Sequence, residues 1–448
     1  MLAGQRVRSS IRRLFFHQGP THPKRVLSCV AGQSRKIPYY IQERRFFSTS
    51  PSVSPVETRS LDGWWKGSTT QLLDREAHPV GSFNNLSWHK AETMILYWAE
   101  QTNEHDLNRC FDLLDRLVEE AESQPTANFR LHVYLIHAVL SSWKQLFQKY
   151  QTQLLPSQLL EKLEAYLKKV PSLFEPNVAT YTIILDGASY CPLPKERIQF
   201  SEDLLVRLMI EAETNPAVCP SEVTIGTVLK GLARSNSLPG AEKAEALLRR
   251  IKELQTHPGW KDKIQLNTIH YTTVLSAFAT AGHPEEAQRI LQEMYEESLL
   301  QGSDQIRPNI RSFNSVLSAW SHATPGPDVF ESAEKIFNKM DELYESGVLK
   351  ERRDIVSYNS LLSTLLKNHD RVPDAVDKAE TLMNDLLERS IIPTAVTFTT
   401  LFRILASKQQ PETEEKVDSW LQRAQEYGFQ DTRFLLDQYK TQLMRSKK

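Results

Sequence analysis

The segments RPNIRSFNSVLSAWSHA (307–323) and RRDIVSYNSLLSTLLKN (352–368) start 45 residues apart and say nearly the same thing. Each has an aromatic residue followed by apolar residues at +3, +4 and +7, which share one face of an α-helix. The offsets join Phe313 to Val316, Leu317 and Trp320, and Tyr358 to Leu361, Leu362 and Leu365. They recur from Tyr271, Tyr181, Ile225 and Phe398, and more weakly from Ile136 and Ala91. A second amphipathic helix follows the clearer copies, opening on a small residue: Ala244, Ala287, Ala333 or Ala379. One such pair cannot bury its own apolar face, whereas stacked pairs share a continuous core. No strand-like alternation of useful length competes with this pattern. The expected fold is an all-α solenoid of antiparallel helix pairs.

Pro with Asn, Ser or Thr punctuates the units, at EPN (175–177), CPS (219–221), RPN (307–309) and IPT (392–394). The four cysteines form no CxxC pair, which excludes a zinc ribbon or a disulfide framework and suits a reducing compartment. No apolar run approaches the roughly 20 residues of a bilayer-spanning helix, so no integral membrane segment is expected. The formal net charge of −1 hides an asymmetry. Residues 1–50 hold ten Lys/Arg and one acid, Glu43, which leaves residues 51–448 at −10. A nucleic-acid site in that acidic body is expected as a local stripe rather than a global basic field, with Lys/Arg beside Thr272, Asn314 and Asn359.

The Arg-rich, acid-poor opening MLAGQRVRSSIRRLFFHQ reads as a mitochondrial transit peptide over residues 1–47, with cleavage between Phe47 and Ser48. The other reading is a basic arm that binds RNA or lipid. Residues 48–87 are expected as a flexible linker, 88–177 as two degenerate repeats, 178–431 as six clearer ones and 432–448 as a capping helix.

The lines VATYTIILDGASY, TIHYTTVLSAFATAGHPEEAQRILQEMYEE and IVSYNSLLSTLLK resemble the pentatricopeptide repeat family, over roughly Trp88 to Asp431. The repeats here, 37 to 46 residues, are longer than the family's usual unit, with the extra length in loops such as 321–332. The resemblance implies a right-handed superhelix that binds single-stranded RNA, successive repeats reading successive bases. It also implies that the residue behind the aromatic and the last residue of each repeat contact a base edge. The implied pairs are Thr182 with Ser221, Thr272 with Asn309, Asn314 with Asp354, Asn359 with Thr394, and Thr399 with Asp431. By the same resemblance Thr272/Asn309 favours adenine, Asn314/Asp354 uracil, Asn359/Thr394 a pyrimidine and Thr399/Asp431 guanine. His137 with Asn177 and Gly226 with Asn267 occupy the corresponding positions and are expected to add little selectivity. Val223, Ile269, Val356 and Val396 stand where an apolar wedge between bases is implied, while Arg311 departs from that type. Taken singly, any Asn, Thr or Ser near a helix start also reads as a cap.

No HExxH, no ordered Ser/His/Asp set and no GxxxxGK loop is present, so neither catalysis nor a metal or cofactor is expected. The leading expectation is an RNA-binding protein of the mitochondrial matrix, or of another organelle, acting in transcript stability, processing or translation. DNA is not an expected partner; mitochondrial ribosome or RNA-processing proteins are. The alternative is a structural or assembly factor whose solenoid holds a polypeptide.

Overall fold

The computed structural model describes residues 72–446 except 75, 77, 128, 151–152, 257–259, 261–262, 302–303, 408–412 and 430–431. The expected transit peptide with its Phe47/Ser48 cleavage point, and the candidate base reader Asp431, lie outside the described residues. The described residues form α-helices and short 3-10 turns, with no strand among them. In chain order the helices are α1 (Asn85–Gln101), α2 (Glu104–Ser123), α3 (Val133–Tyr150), α4 (Pro156–Lys169), α5 (Val178–Ala188) and α6 (Pro194–Glu211). Next come α7 (Glu222–Ala233), α8 (Leu238–Gln255), α9 (Thr268–Ala281), α10 (Pro284–Gln301), α11 (Ile310–His322) and α12 (Val329–Glu345). The last are α13 (Ile355–Lys367), α14 (Ala375–Glu388), α15 (Ala395–Ser407), α16 (Thr413–Glu426) and α17 (Arg433–Ser446). Odd numbers mark the first helix of each pair.

Two compact units divide the chain: Met1–Gly231 with Glu253–Ile264, and Leu232–Lys252 with Gln265–Lys448. In the first unit α1 packs on α2 and α3, and α3 on α5. In the second, α9, α11, α13 and α15 pack in sequence, each also against the even-numbered helix that follows it, and α17 closes against α15. Each unit is therefore two layers of helices with the shared core between them.

The template residues supply that core. Val316, Leu317, Tyr358, Leu361, Leu362 and Leu365 are all buried, as are Ala287, Ala333 and Ala379, whose small side chains let paired helices close on one another. The aromatic also ties the pair together: Tyr271 donates to Glu297 of α10, and Tyr358 donates to Asp385 of α14 at 2.5 Å. An Asn or Asp at the N-cap starts most first helices. Asn309 accepts from the Ser312 amide (3.1 Å) and Asp354 from the Ser357 amide (3.0 Å). Gly282 ends α9 at φ 77°, a conformation a side chain would strain, and α10 begins two residues later.

One departure from the sequence reading, and one feature it did not address, have physical causes. The end of the stretch expected as a linker, 78–87, is packed. Glu120 accepts from the amides of Gly81 (2.9 Å) and Phe83 (3.2 Å), Phe83 is buried, and α1 already starts at Asn85. The inserted loop 321–332 is anchored to the next repeat, because buried Asn368 accepts from the Gly326 amide (3.1 Å) and donates to the Thr364 carbonyl (2.8 Å).

Candidate functional site

The acids sort by helix. Four first helices of the second unit, α9, α11, α13 and α15, contain no Asp or Glu, while α10, α12, α14 and α16 contain eighteen; the closing helix α17 has Asp437. Many of those eighteen stitch neighbouring repeats: Lys378 to Glu334 (2.6 Å), Arg389 to Asp341 (2.7 Å) and Lys416 to Glu380 (2.8 Å). The deficit of −10 is thus spent on the second helices. The first-helix face carries Arg311, Lys367 and Arg403 among Ser and Thr. Within these four helices there is no acid and cations are sparse, and the Lys/Arg stripe expected from sequence is not formed among the described residues.

The implied wedge residues are all exposed on first helices. Val223 is 60% exposed, Ile269 71%, Val356 49% and Val396 58%. Bare aliphatic groups at the second helical position of successive units have no role in the core. The sequence reading missed one member: Tyr134, two residues before Ile136, holds the same place in α3 and is 53% exposed. The signal was its spacing from Ile136, hidden by the weakness of that repeat.

The paired positions meet across adjacent repeats. Asn314 Nδ2 donates to Asp354 Oδ1 (3.0 Å), and Asn359 Nδ2 reaches Thr394 Oγ1 at 3.4 Å. Thr182 and Thr272 each donate back to the carbonyl four residues earlier, at 2.8 and 2.7 Å. They join their partners only through a third side chain. Thr182 meets Thr224 (2.9 Å), which meets Ser221 (3.1 Å); Thr272 meets Ser312 (3.1 Å), which donates to Asn309 (3.2 Å). His137 does the same through Thr180 (2.9 Å), which donates to Asn177 (3.4 Å), and burial lowers the pKa of His137 below its usual value. Thr399 is half-buried.

The last residue of each repeat is therefore also the N-cap of the next first helix, as found for Asn177, Asn267, Asn309 and Asp354. Capping and pairing are carried by the same side chain. The connecting hydroxyls Thr180, Thr224, Ser312 and Ser357 are buried and were missed from sequence. Their signal was a Ser or Thr directly before the aromatic or aliphatic anchor.

In the first unit one acid of a first helix sits between two cations. Asp186 of α5 lies 3.2 Å from Lys144 of α3 and 2.9 Å from Lys230 of α7. Burial pushes its carboxyl up, but the two ammonium groups outweigh that and hold it below the usual carboxylate range. Among the described residues no group of three or more His, Cys, Asp or Glu could hold a metal ion.

Residues 260–322 match the pentatricopeptide repeat domain, and residues 353–407 match the PPR repeat family. The chain is similar to two pentatricopeptide repeat-containing proteins of Arabidopsis thaliana, one of them named as chloroplastic. It is 25% identical to each, over 43% and 44% of its own length. The matches cover only 21% and 28% of those longer relatives. Among solved structures it is similar to the pentatricopeptide repeat protein PPR10 from maize, at 16% identity and a TM-score of 0.43, over 88% of this chain and 49% of that one. PPR10 in complex with an 18-nt psaJ RNA element matches at 13% identity and a TM-score of 0.33, over 91% and 68%.

Proposed function

From the premise that the chain belongs to the pentatricopeptide repeat family, we propose that it binds single-stranded RNA along the face of its odd-numbered helices. The observation that carries the reading is the segregation of charge. An acidic protein keeps α9, α11, α13 and α15 free of acid, and on that same face it exposes aliphatic side chains and paired polar ones.

Each element has a part in binding. Val223, Ile269, Val356, Val396 and Tyr134 insert beside bases. The pairs Thr182/Ser221, Thr272/Asn309, Asn314/Asp354 and Asn359/Thr394 meet base edges, as do Thr399 and Asp431, while Arg311, Lys367 and Arg403 meet phosphate. Stacking on the Tyr134 ring is worth about 1–3 kcal/mol, and the aliphatic groups add about 25 cal/mol per Å² of apolar area they bury against bases, so several repeats acting together offset weak overall electrostatics. The role is occupancy of a transcript, without catalysis by this chain, in RNA stability, processing or translation. The basic, acid-poor N-terminus directs it to an organelle, and to the mitochondrial matrix in particular.

The test is equilibrium binding of the full chain to RNA selected from a random single-stranded pool. Enrichment of a linear motif, with loss of binding when the site is made double-stranded, supports the proposal. Recovery of no sequence preference and no binding at moderate salt sinks it and leaves a scaffold that holds a polypeptide.

A further inference from the structure

The buried hydroxyl before the anchor does not touch every reading pair alike. Ser357 Oγ lies 2.7 Å from Asn314 Oδ1 and 3.0 Å from Asp354 Oδ1, and its single O–H donates to the nearer, the Asn314 carbonyl. Asn314 Nδ2 in turn donates to Asp354 Oδ1 (3.0 Å). Both ends of the Asn314 amide are held, so its plane is fixed. One N–H of Asn314 and Oδ2 of Asp354 are left to meet a base.

One repeat later the corresponding hydroxyl is spent elsewhere. Thr397 Oγ1 sits 3.0 Å from Thr394 Oγ1 and accepts from the Thr394 amide (3.0 Å). Asn359 is left with one long bond, at 3.4 Å to Thr394, and its Oδ1 is buried with no hydrogen-bond partner. The physical difference is the cap residue. The Asp354 carboxylate accepts from several donors at once and gathers Ser357 and Asn314 around one oxygen. The single Thr394 hydroxyl leaves Thr397 turned to its own cap.

We propose that Ser357 is a positioning residue for base selectivity: by bonding the Asn314 carbonyl it sets which end of that amide faces the base, and Asn359, lacking such a bond, reads loosely. An outward N–H suits the keto oxygen of uracil and opposes the amino group of cytosine, whereas an outward carbonyl does the reverse. A held amide therefore separates the two pyrimidines and a swinging one accepts both. This rests on the RNA-binding reading above.

The experiment selects RNA from a random single-stranded pool with the full chain and with Ser357→Ala and Ser357→Thr, and follows folding by thermal melting. The expected native motif has one position with a sharp uracil preference, next to one that takes either pyrimidine. Ser357→Ala reduces the sharp preference from about tenfold to about twofold, the span of one lost hydrogen bond, and leaves the other positions alone. Ser357→Thr keeps it. A lowered melting temperature with an unchanged motif would assign Ser357 to helix capping alone and overturn the proposal. Should Ser357→Ala not fold, Thr394→Asp carries the test. It sharpens selection at Asn359, and adding Thr397→Ala abolishes the gain; equal motifs from these two variants refute the idea. A native chain that selects no motif at all defeats the RNA-binding reading instead, a result distinct from either failure.

Discussion

Replacing Asp186 with Asn is expected to tighten RNA binding. This carboxylate is the single acid of α3 and α5, and it engages Lys144 at 3.2 Å and Lys230 at 2.9 Å. A phosphate reaching for both ammonium groups would stand about 6 Å from it. Like charges at that distance repel by about 0.7 kcal/mol in water. A Debye length of about 8 Å at physiological salt weakens this further. The variant should therefore bind about threefold more tightly at low salt, where 1.4 kcal/mol corresponds to about tenfold. Freed lysines should also steepen the salt dependence, by roughly 0.7 in the log–log slope for each phosphate newly contacted. Fluorescence anisotropy with a labelled RNA of about 20 nucleotides, titrated between about 50 and 200 mM salt, reads both quantities. The melting temperature should change little, since part-exposed ion pairs contribute about 0–1 kcal/mol and Asn keeps a hydrogen-bonding oxygen. An unchanged affinity and slope in a folded Asp186→Asn protein would show that RNA does not run along α3, α5 and α7.

Three further outcomes follow from the same geometry. Gly187→Ala places a Cβ within 2.2 Å of the Trp143 ring, which is fully buried and donates to the Leu154 carbonyl; a loss of about 1–3 kcal/mol or more is expected in chemical denaturation. Burial lowers the pKa of His137, so between that value and about 6.5 the unfolded chain binds more protons. Stability should rise with pH through this window and level off above it, and the rise should shrink in His137→Gln when melting is compared at pH values on either side. Tyr134→Ala should weaken RNA binding by about 1–3 kcal/mol without altering the melting temperature, because its ring is exposed and outside the core.

The fold was legible because one requirement, burial of the same helix face against the next unit, repeats with the chain. Phe313, Tyr358 and their +3, +4 and +7 partners are core residues for that reason. The division of charge was equally open to a sequence reader, yet a net value of −10 concealed it, since only helix boundaries reveal that α9, α11, α13 and α15 contain no acid. What sequence could not show is the hydrogen-bond route. Ser357 reads as an ordinary capping residue until the structure brings it to Asn314, 43 positions away. Likewise the family resemblance separates Asn314/Asp354 from Asn359/Thr394 without giving a cause, and only geometry shows that one Asn is held at both ends and the other at one. Position 368 was an unremarked helix end, although its amide fastens the preceding inserted loop.

The central claim is that RNA lies along the first helices, of which α9, α11, α13 and α15 contain no acid. The most direct measurement puts acid there. Ser276, Ser318 and Ser363 are part-exposed on α9, α11 and α13, and the triple change to Glu adds three charges without entering the core. Affinity for single-stranded RNA is predicted to fall at least about tenfold, given about 0.7 kcal/mol of repulsion for each new charge near a phosphate. A folded triple variant that binds RNA as tightly as the native chain would contradict the account.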